Sequence, residues 1–173
     1  MLREAVMKST QVTIDKESVW DYPKDGALEP IARRIRVEFN GATIADTTRA
    51  IRAVEKGLPP DYYIPPEDIN QEYLVQTGRS THCSVKGTAA YWSVKVADCV
   101  AENAVWAYVD TTRESDVIQG YFAFYPNDMD ACLVDDMKAT PRKSEYYAGW
   151  VTAHVEGPFV GDPGVDYDPR EGS

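Results

Sequence analysis

Cys83 sits in the run Thr81-His82-Cys83-Ser84-Val85-Lys86-Gly87, which crowds a thiol, an imidazole and an amine into one short stretch. A thiolate is a strong nucleophile, and a neighbouring cation lowers a thiol's pKa. In an extended strand, however, Thr81, Cys83 and Val85 point to one face, and His82, Ser84 and Lys86 to the other. Any group that activates Cys83 must then be brought in by the fold. The only other histidine, His154, is distant in the chain. A buried, inert cysteine fits the same pattern. Cys83 is the first candidate nucleophile and Glu102 the first candidate acid–base group.

The remaining polar candidates bind rather than react. Lys86-Gly87 lacks the GxxxxGK[ST] frame of a phosphate loop. Arg36, Arg79 and Lys86 can together hold one small anion, or stand as three solvated charges. Tyr63, Tyr91, Trp106 and Tyr108 can wall an apolar pocket, with Asn103 beside them, although a packed core uses the same residue types. Asp46, Glu102 and Asp130 have no tight ligand spacing. The three cysteines, Cys83, Cys99 and Cys132, form no CxxC pair. No metal site and no cofactor are expected.

Composition bounds the partners. The chain has 173 residues and a formal net charge of -10, with 18 Lys+Arg against 28 Asp+Glu. That field repels nucleic acid and anionic membrane surfaces, so neither is expected as a partner. Met1 to Thr10 lacks the apolar core of a secretory signal, and nothing approaches the ~20 apolar residues of a membrane span. The expectation is a soluble protein of a reducing cytoplasm, with a homodimer as an open alternative.

The elements that must position these residues read mostly as strands. Ile35-Arg36-Val37-Glu38-Phe39 alternates apolar and charged residues, Asn40-Gly41 is a hairpin turn, and Ala42 to Asp46 returns. Thr47 to Lys56 reads as helix or strand. Asp61-Tyr62-Tyr63-Ile64 is β-prone and stopped by Pro65-Pro66. Glu67 to Thr77 reads as loop. The central strand runs from Arg79 to Lys86, and Ala89 to Val96 is a second strand. Ala97-Asp98 is a turn, and Cys99 to Val109 is extended. Within it Val105, Ala107 and Val109 share one face, and Trp106 and Tyr108 the other. A short helix over Asp110 to Gln119, then strands at Tyr121 to Tyr125 and Asp130 to Val134, complete the pattern. Trp20, Tyr22, Tyr146, Tyr147, Trp150 and Phe159 read as loop anchors, and 161–173 as a flexible acidic tail.

Two segments, about 35–69 and 92–134, run in parallel. Val37-Glu38-Phe39-Asn40-Gly41 matches Val94-Lys95-Val96-Ala97-Asp98, and Tyr63-Ile64-Pro65 matches Phe124-Tyr125-Pro126. The offset is in the range where repeats are sought. Ala104 to Val109 is too aromatic and β-branched for a helix, so its counterpart Ala50 to Glu55 is read as a strand. The fold class expected is mainly β. It would be two packed antiparallel sheets or a squat barrel from a duplicated β-meander, with at most short helices, in one domain over 1–160.

Several segments, taken in order, resemble the DUF427 family. They are Glu17 to Pro23, Ile44 to Ala50, Tyr62 to Asp68, Thr81 to Trp92 and Ala101 to Tyr108, within a similarity spanning roughly Trp20 to Phe159. The resemblance implies a compact β-tent-like fold. Better-known β-tent proteins hold zinc through paired CxxC motifs, which this chain lacks. A nucleotidyltransferase name sometimes attached to the family has no matching signature here. The resemblance also implies that the site lies at the Thr81 to Tyr91 and Glu102 to Tyr108 motifs. The function expected is binding of a small anionic or aromatic molecule in a pocket between the two segments. The alternatives are a non-catalytic interaction module and a small-molecule enzyme using Cys83.

Overall fold

The computed structural model describes residues 15–142, 148–166 and 168–170. Tyr146 and Tyr147, and residues 1–14 of the N-terminal lead-in, lie outside them. The strands in chain order are β1 (Glu17–Ser18), β2 (Ala27–Pro30), β3 (Ile35–Phe39), β4 (Ala42–Thr47), β5 (Ile51–Glu55), β6 (Leu58–Tyr63) and β7 (Leu74–Cys83). Then follow β8 (Gly87–Val96), β9 (Cys99–Thr111), β10 (Phe122–Phe124), β11 (Ala131–Val134), β12 (Met137–Lys138) and β13 (Val155–Glu156). The helices among the described residues are short 3-10 turns, of which Arg113–Ile118 matters for the site.

Three antiparallel sheets carry the structure, with strand orders β10-β9-β8-β7, β12-β11-β3-β4 and β2-β5-β6. A two-stranded parallel pair, β1 with β13, is added at one side. The protein is mainly β, as its alternating sequence requires. No closed barrel forms among the described residues, so the barrel alternative is set aside. The two-sheet alternative gains a third sheet.

The central sheet is the long one, because β8 and β9 pair from Gly87↔Thr111 to Val96↔Cys99. It is covered on both faces. Val94, Val105, Ala107, Phe122 and Phe124 pack with Ile35, Val37, Ile44, Cys132 and Val134 of the β3-containing sheet. On the opposite face Ala89, Tyr91, Trp106 and Ala123 pack with Tyr63 and, at the margin, Leu28, Ile51 and Ala53 of the three-stranded sheet. Period-2 alternation sorts the side chains between two cores, and so β9 has few polar positions along its middle. Trp150, buried beside Tyr62, closes one end and donates its indole N–H to the Phe124 carbonyl at 3.1 Å.

The strand read at Ala50 to Glu55 forms as Ile51–Glu55, where Ala53 and Val54 pair with Leu28 and Ala27 of β2. One local reading changes. The stretch Glu67 to Thr77, expected as loop, holds two 3-10 turns and the start of β7, where Leu74 and Val75 pair with Val94 and Ser93. Cross-strand pairing outweighs the weak local preference there. Pro59 and Pro60 are accommodated inside β6 because it is the edge strand of its sheet.

Trp20 and Tyr22 anchor their loop as read. Trp20 donates to the Pro158 carbonyl at 2.7 Å, and Tyr22 to Glu17 at 2.9 Å. Arg52 pairs with Glu17 and Glu29 and fixes β1 against the three-stranded sheet. Within the stretch expected to be a free tail, Asp168 is buried and Arg170 reaches Asp21, Asp168 and the Trp20 carbonyl.

Candidate functional site

The cleft that matters opens between the three-stranded sheet and the turn joining β7 to β8. Its volume is about 550 Å³, within the range of small-molecule sites. One wall is Ala27 and Leu28 of β2, Ala53 to Glu55 of β5, and Leu58, Pro59 and Asp61 of β6. The other is Cys83, Val85 and Lys86, with Glu114, Ser115 and Val117 of the 3-10 turn.

Local geometry explains why these groups meet. Strand β7 ends at Cys83, which pairs with Gly87 across a three-residue turn, Ser84 to Lys86. The turn is clamped to the end of β9. The Thr112 amide donates to the Lys86 carbonyl at 3.0 Å, and the Thr112 hydroxyl to the Val85 carbonyl at 2.6 Å. The 3-10 turn that follows is anchored by Ile118, which has no exposed surface. Because the strand stops at Cys83, Lys86 does not continue its alternation. The expectation that Lys86 faces away from Cys83 is corrected: both line the same cleft.

Behind Cys83 lies an aromatic cluster. Tyr63 stands edge-on to Trp106 at a centroid distance of 6.2 Å and is tilted against Tyr108 at 6.3 Å. The Trp106 indole donates to the Tyr63 hydroxyl at 3.4 Å. Tyr125 packs on Trp106 at 4.7 Å, and the hydroxyl of nearby Tyr91 shares a 2.8 Å bond with Thr81. Arg79 covers the outer face of Tyr91 at 4.6 Å, a cation–π contact. Burial pushes the Tyr108 phenol well above its usual range, and the nearby Cys83 and Asp61 add to the shift. Burial likewise raises Tyr63, and it holds Tyr125 up at about 12.

Of the sequence candidates, Cys83 and Lys86 line the cleft, whereas Tyr63, Tyr91, Trp106 and Tyr108 do not wall it as expected but pack in a cluster of their own, with Arg79 over Tyr91. The other sequence candidates fall elsewhere. Arg36 is on β3 and pairs with Asp136 at 3.0 Å. Glu102 is exposed at the β8–β9 bulge, and neither residue lines the cleft. Asn103 adopts a positive φ at that bulge and accepts from the Thr77 hydroxyl at 2.6 Å, a structural role.

Asp61 is the residue that sequence reasoning passed over. It pairs with Ala53 across β5 and β6 and sits two residues from Tyr63, so it shares the inward face of β6. Its Oδ1 is fully enclosed and has no hydrogen-bond partner among the described residues. Burial raises its carboxyl from 3.8 to about 6, with Glu55 adding and Lys86 opposing. A buried acceptor left unpaired costs free energy on the order of 1 to 3 kcal/mol. Among the described residues, no cluster of three or more His, Cys, Asp or Glu side chains is placed to hold a metal ion.

The model of a family described as a domain of unknown function, DUF427, matches residues 27–135, more than half of the chain. The chain belongs to the DUF427 family. The matched span contains the Cys83 turn, Asp61 and the whole aromatic cluster, so the cleft is built largely within the DUF427 domain. No curated protein matches the chain. Among its described residues, no helix is long and apolar enough to cross a membrane.

Proposed function

We infer that the DUF427 domain binds a small apolar or aromatic molecule in this cleft, through a hydrogen-bond donor that meets Asp61. Asp61 carries this reading: it lines the cleft, and no protein donor among the described residues satisfies its Oδ1. The rim agrees. Val85 and Val117 are 61% and 56% exposed, and both line the cleft as apolar lips. Large hydrophobic side chains held out to water at the mouth of a cavity favour a ligand with an apolar body.

Charge decides the ligand's polar end. Asp25, Glu55, Asp61 and Glu114 face the cleft against a single lysine, Lys86. An anion meets net repulsion there, so the wall favours a neutral or cationic donor over the anion expected from the sequence. Benzamide, benzamidine and benzoate share one aromatic body and differ in the polar group, which makes them a direct test. Benzamide and benzamidine are expected to raise the melting temperature at millimolar concentration, and benzoate to leave it unchanged. Stabilisation by benzoate alone would reverse the assignment of Asp61 as the anchor, and no shift with any of the three would remove the binding reading.

A further inference from the structure

Deepening that reading, and resting on it, we propose that the cleft is an active site that hydrolyses the C–N bond of small amides, with Cys83 as nucleophile and Asp61 as the proton carrier. Two independent features converge. Cys83 is half-buried on one wall, and the unpartnered Asp61 Oδ1 is enclosed on the other. An amide supplies what both need: an N–H for Asp61 and, one bond away, an electrophilic carbon for sulfur. An ester presents no such donor at its leaving atom, so Asp61 selects for nitrogen.

The Cys83 thiol gives its proton to the Asp61 carboxylate as sulfur attacks the carbonyl carbon, and the C=O π pair moves to oxygen. That pair returns, the C–N bond breaks, and the departing nitrogen takes the proton from the Asp61 carboxyl that already holds its N–H. Ammonia or an amine leaves, and a thioester remains on Cys83. Water then attacks the thioester carbon while Asp61 takes a proton from it. The C–S bond breaks, sulfur recovers the proton from Asp61, and the carboxylic acid departs. The net reaction is amide plus water to acid plus amine, with no redox partner. Lys86, the one cation among the described lining residues, is the group available to offset charge developing on the carbonyl oxygen. A carboxyl whose pKa is about 6 exchanges protons readily near neutrality.

The test uses the full chain with acetamide, isobutyramide and benzamide, measuring ammonia release and the intact mass after an acid quench. The expected result is turnover that rises with pH through about 6, with an acyl adduct mapped to Cys83 and absent from the exposed Cys99. Cys83→Ser should lose turnover and keep the benzamide melting shift. Asp61→Asn should lose on the order of a hundredfold in rate. Ammonia release no faster than from Cys83→Ser overturns the proposal. If benzamide still stabilises the protein in that case, the binding reading stands without the chemistry. If it does not, both fall.

Discussion

Gly87→Ala is expected to destabilise the protein by about 3 to 5 kcal/mol, combining backbone strain with overpacking. Gly87 has φ +120°, a region that side-chain-bearing residues rarely enter. A Cβ built there meets the Asp110 carbonyl oxygen at 2.0 Å and the Thr111 Cα at 2.9 Å. Both are backbone atoms of β9, held in the ladder by the Gly87↔Thr111 and Thr88↔Asp110 pairs. Neither can swing aside as a flexible side chain would. The turn must therefore lift off β9, which strains the Thr112 bonds to Val85 and Lys86. For a chain of this size the melting temperature should fall by roughly 10 °C. Because the same turn carries Cys83 and Lys86, benzamide binding should weaken beyond what the lost stability explains. Gly78 serves as the control: its added Cβ meets nothing within 4 Å and its φ is not in the positive region. Gly78→Ala should change the melting temperature by only a degree or two. Equal losses in the two variants would mean that the turn is not clamped as described.

The fold was legible where alternation was strict. Ile35 to Phe39 alternates and is a strand with Ile35 and Val37 buried, while Ala89 to Val96 and Val105 to Val109 are strands too, in a sheet covered on both faces. Asn40-Gly41 announced its hairpin, and Ala97 turns the second hairpin with a positive φ that no glycine signalled. The start of β7 was not legible. Leu74 to Gly78 is a poor strand by composition and is strand only because β8 pairs with it. The third sheet was hidden for the same kind of reason: β6 begins Leu58-Pro59-Pro60, which reads as a break unless the strand is known to lie at an edge.

The candidate site divides in a similar way. Cys83 and Lys86, close in sequence, both line the cleft, whereas Tyr63, Tyr91, Trp106 and Tyr108 fill a packed cluster rather than a pocket wall. Arg36 and Glu102 were chosen for charge alone, and charge on a strand's outer face mostly meets water or a surface partner. Asp61 carried a usable signal. Once Asp61 to Ile64 is taken as strand, Asp61 falls on the same face as Tyr63. A carboxylate on the inward face of an aromatic strand is costly unless something outside the protein pairs with it. That pattern, an ionisable group where the period demands an apolar one, marks the cleft better than the cysteine does. The Cys83–Lys86 relation was missed for the opposite reason. Alternation was extended past the end of the strand, where a turn resets every side-chain direction.

Replacing Asp61 by asparagine is expected to stabilise the protein at neutral pH while removing the function proposed for it. The sign follows from linkage. The Asp61 carboxyl has its folded pKa raised to about 6 against an ordinary 3.8. Below the ordinary value it is protonated in both the folded and unfolded states, and burial exacts no ionisation penalty. As pH rises toward 6 the unfolded chain loses this proton while the folded protein retains it, so stability falls. Above about 6 both forms are ionised and the full penalty applies. That penalty is on the order of 3 kcal/mol, an upper bound for a carboxylate that can draw in water. Asparagine never ionises, yet it brings its own buried amide to satisfy, so the net gain at pH 7.5 should be about 1 to 3 kcal/mol. The difference between the two proteins, followed by urea unfolding from pH 4 to 8, should be near zero at the acid end and grow through the interval between the two pKa values. Lys86→Met should act in the opposite direction, because Lys86 is the charge that partly offsets Asp61. A stability gap that stays constant across this pH range would show that Asp61 is not an enclosed ionised group. Stability withheld by a residue that the empty fold does better without is the signature of a group kept for its site. The decisive pattern is therefore a joint one: Asp61→Asn more stable at neutral pH, and unable to use the cleft.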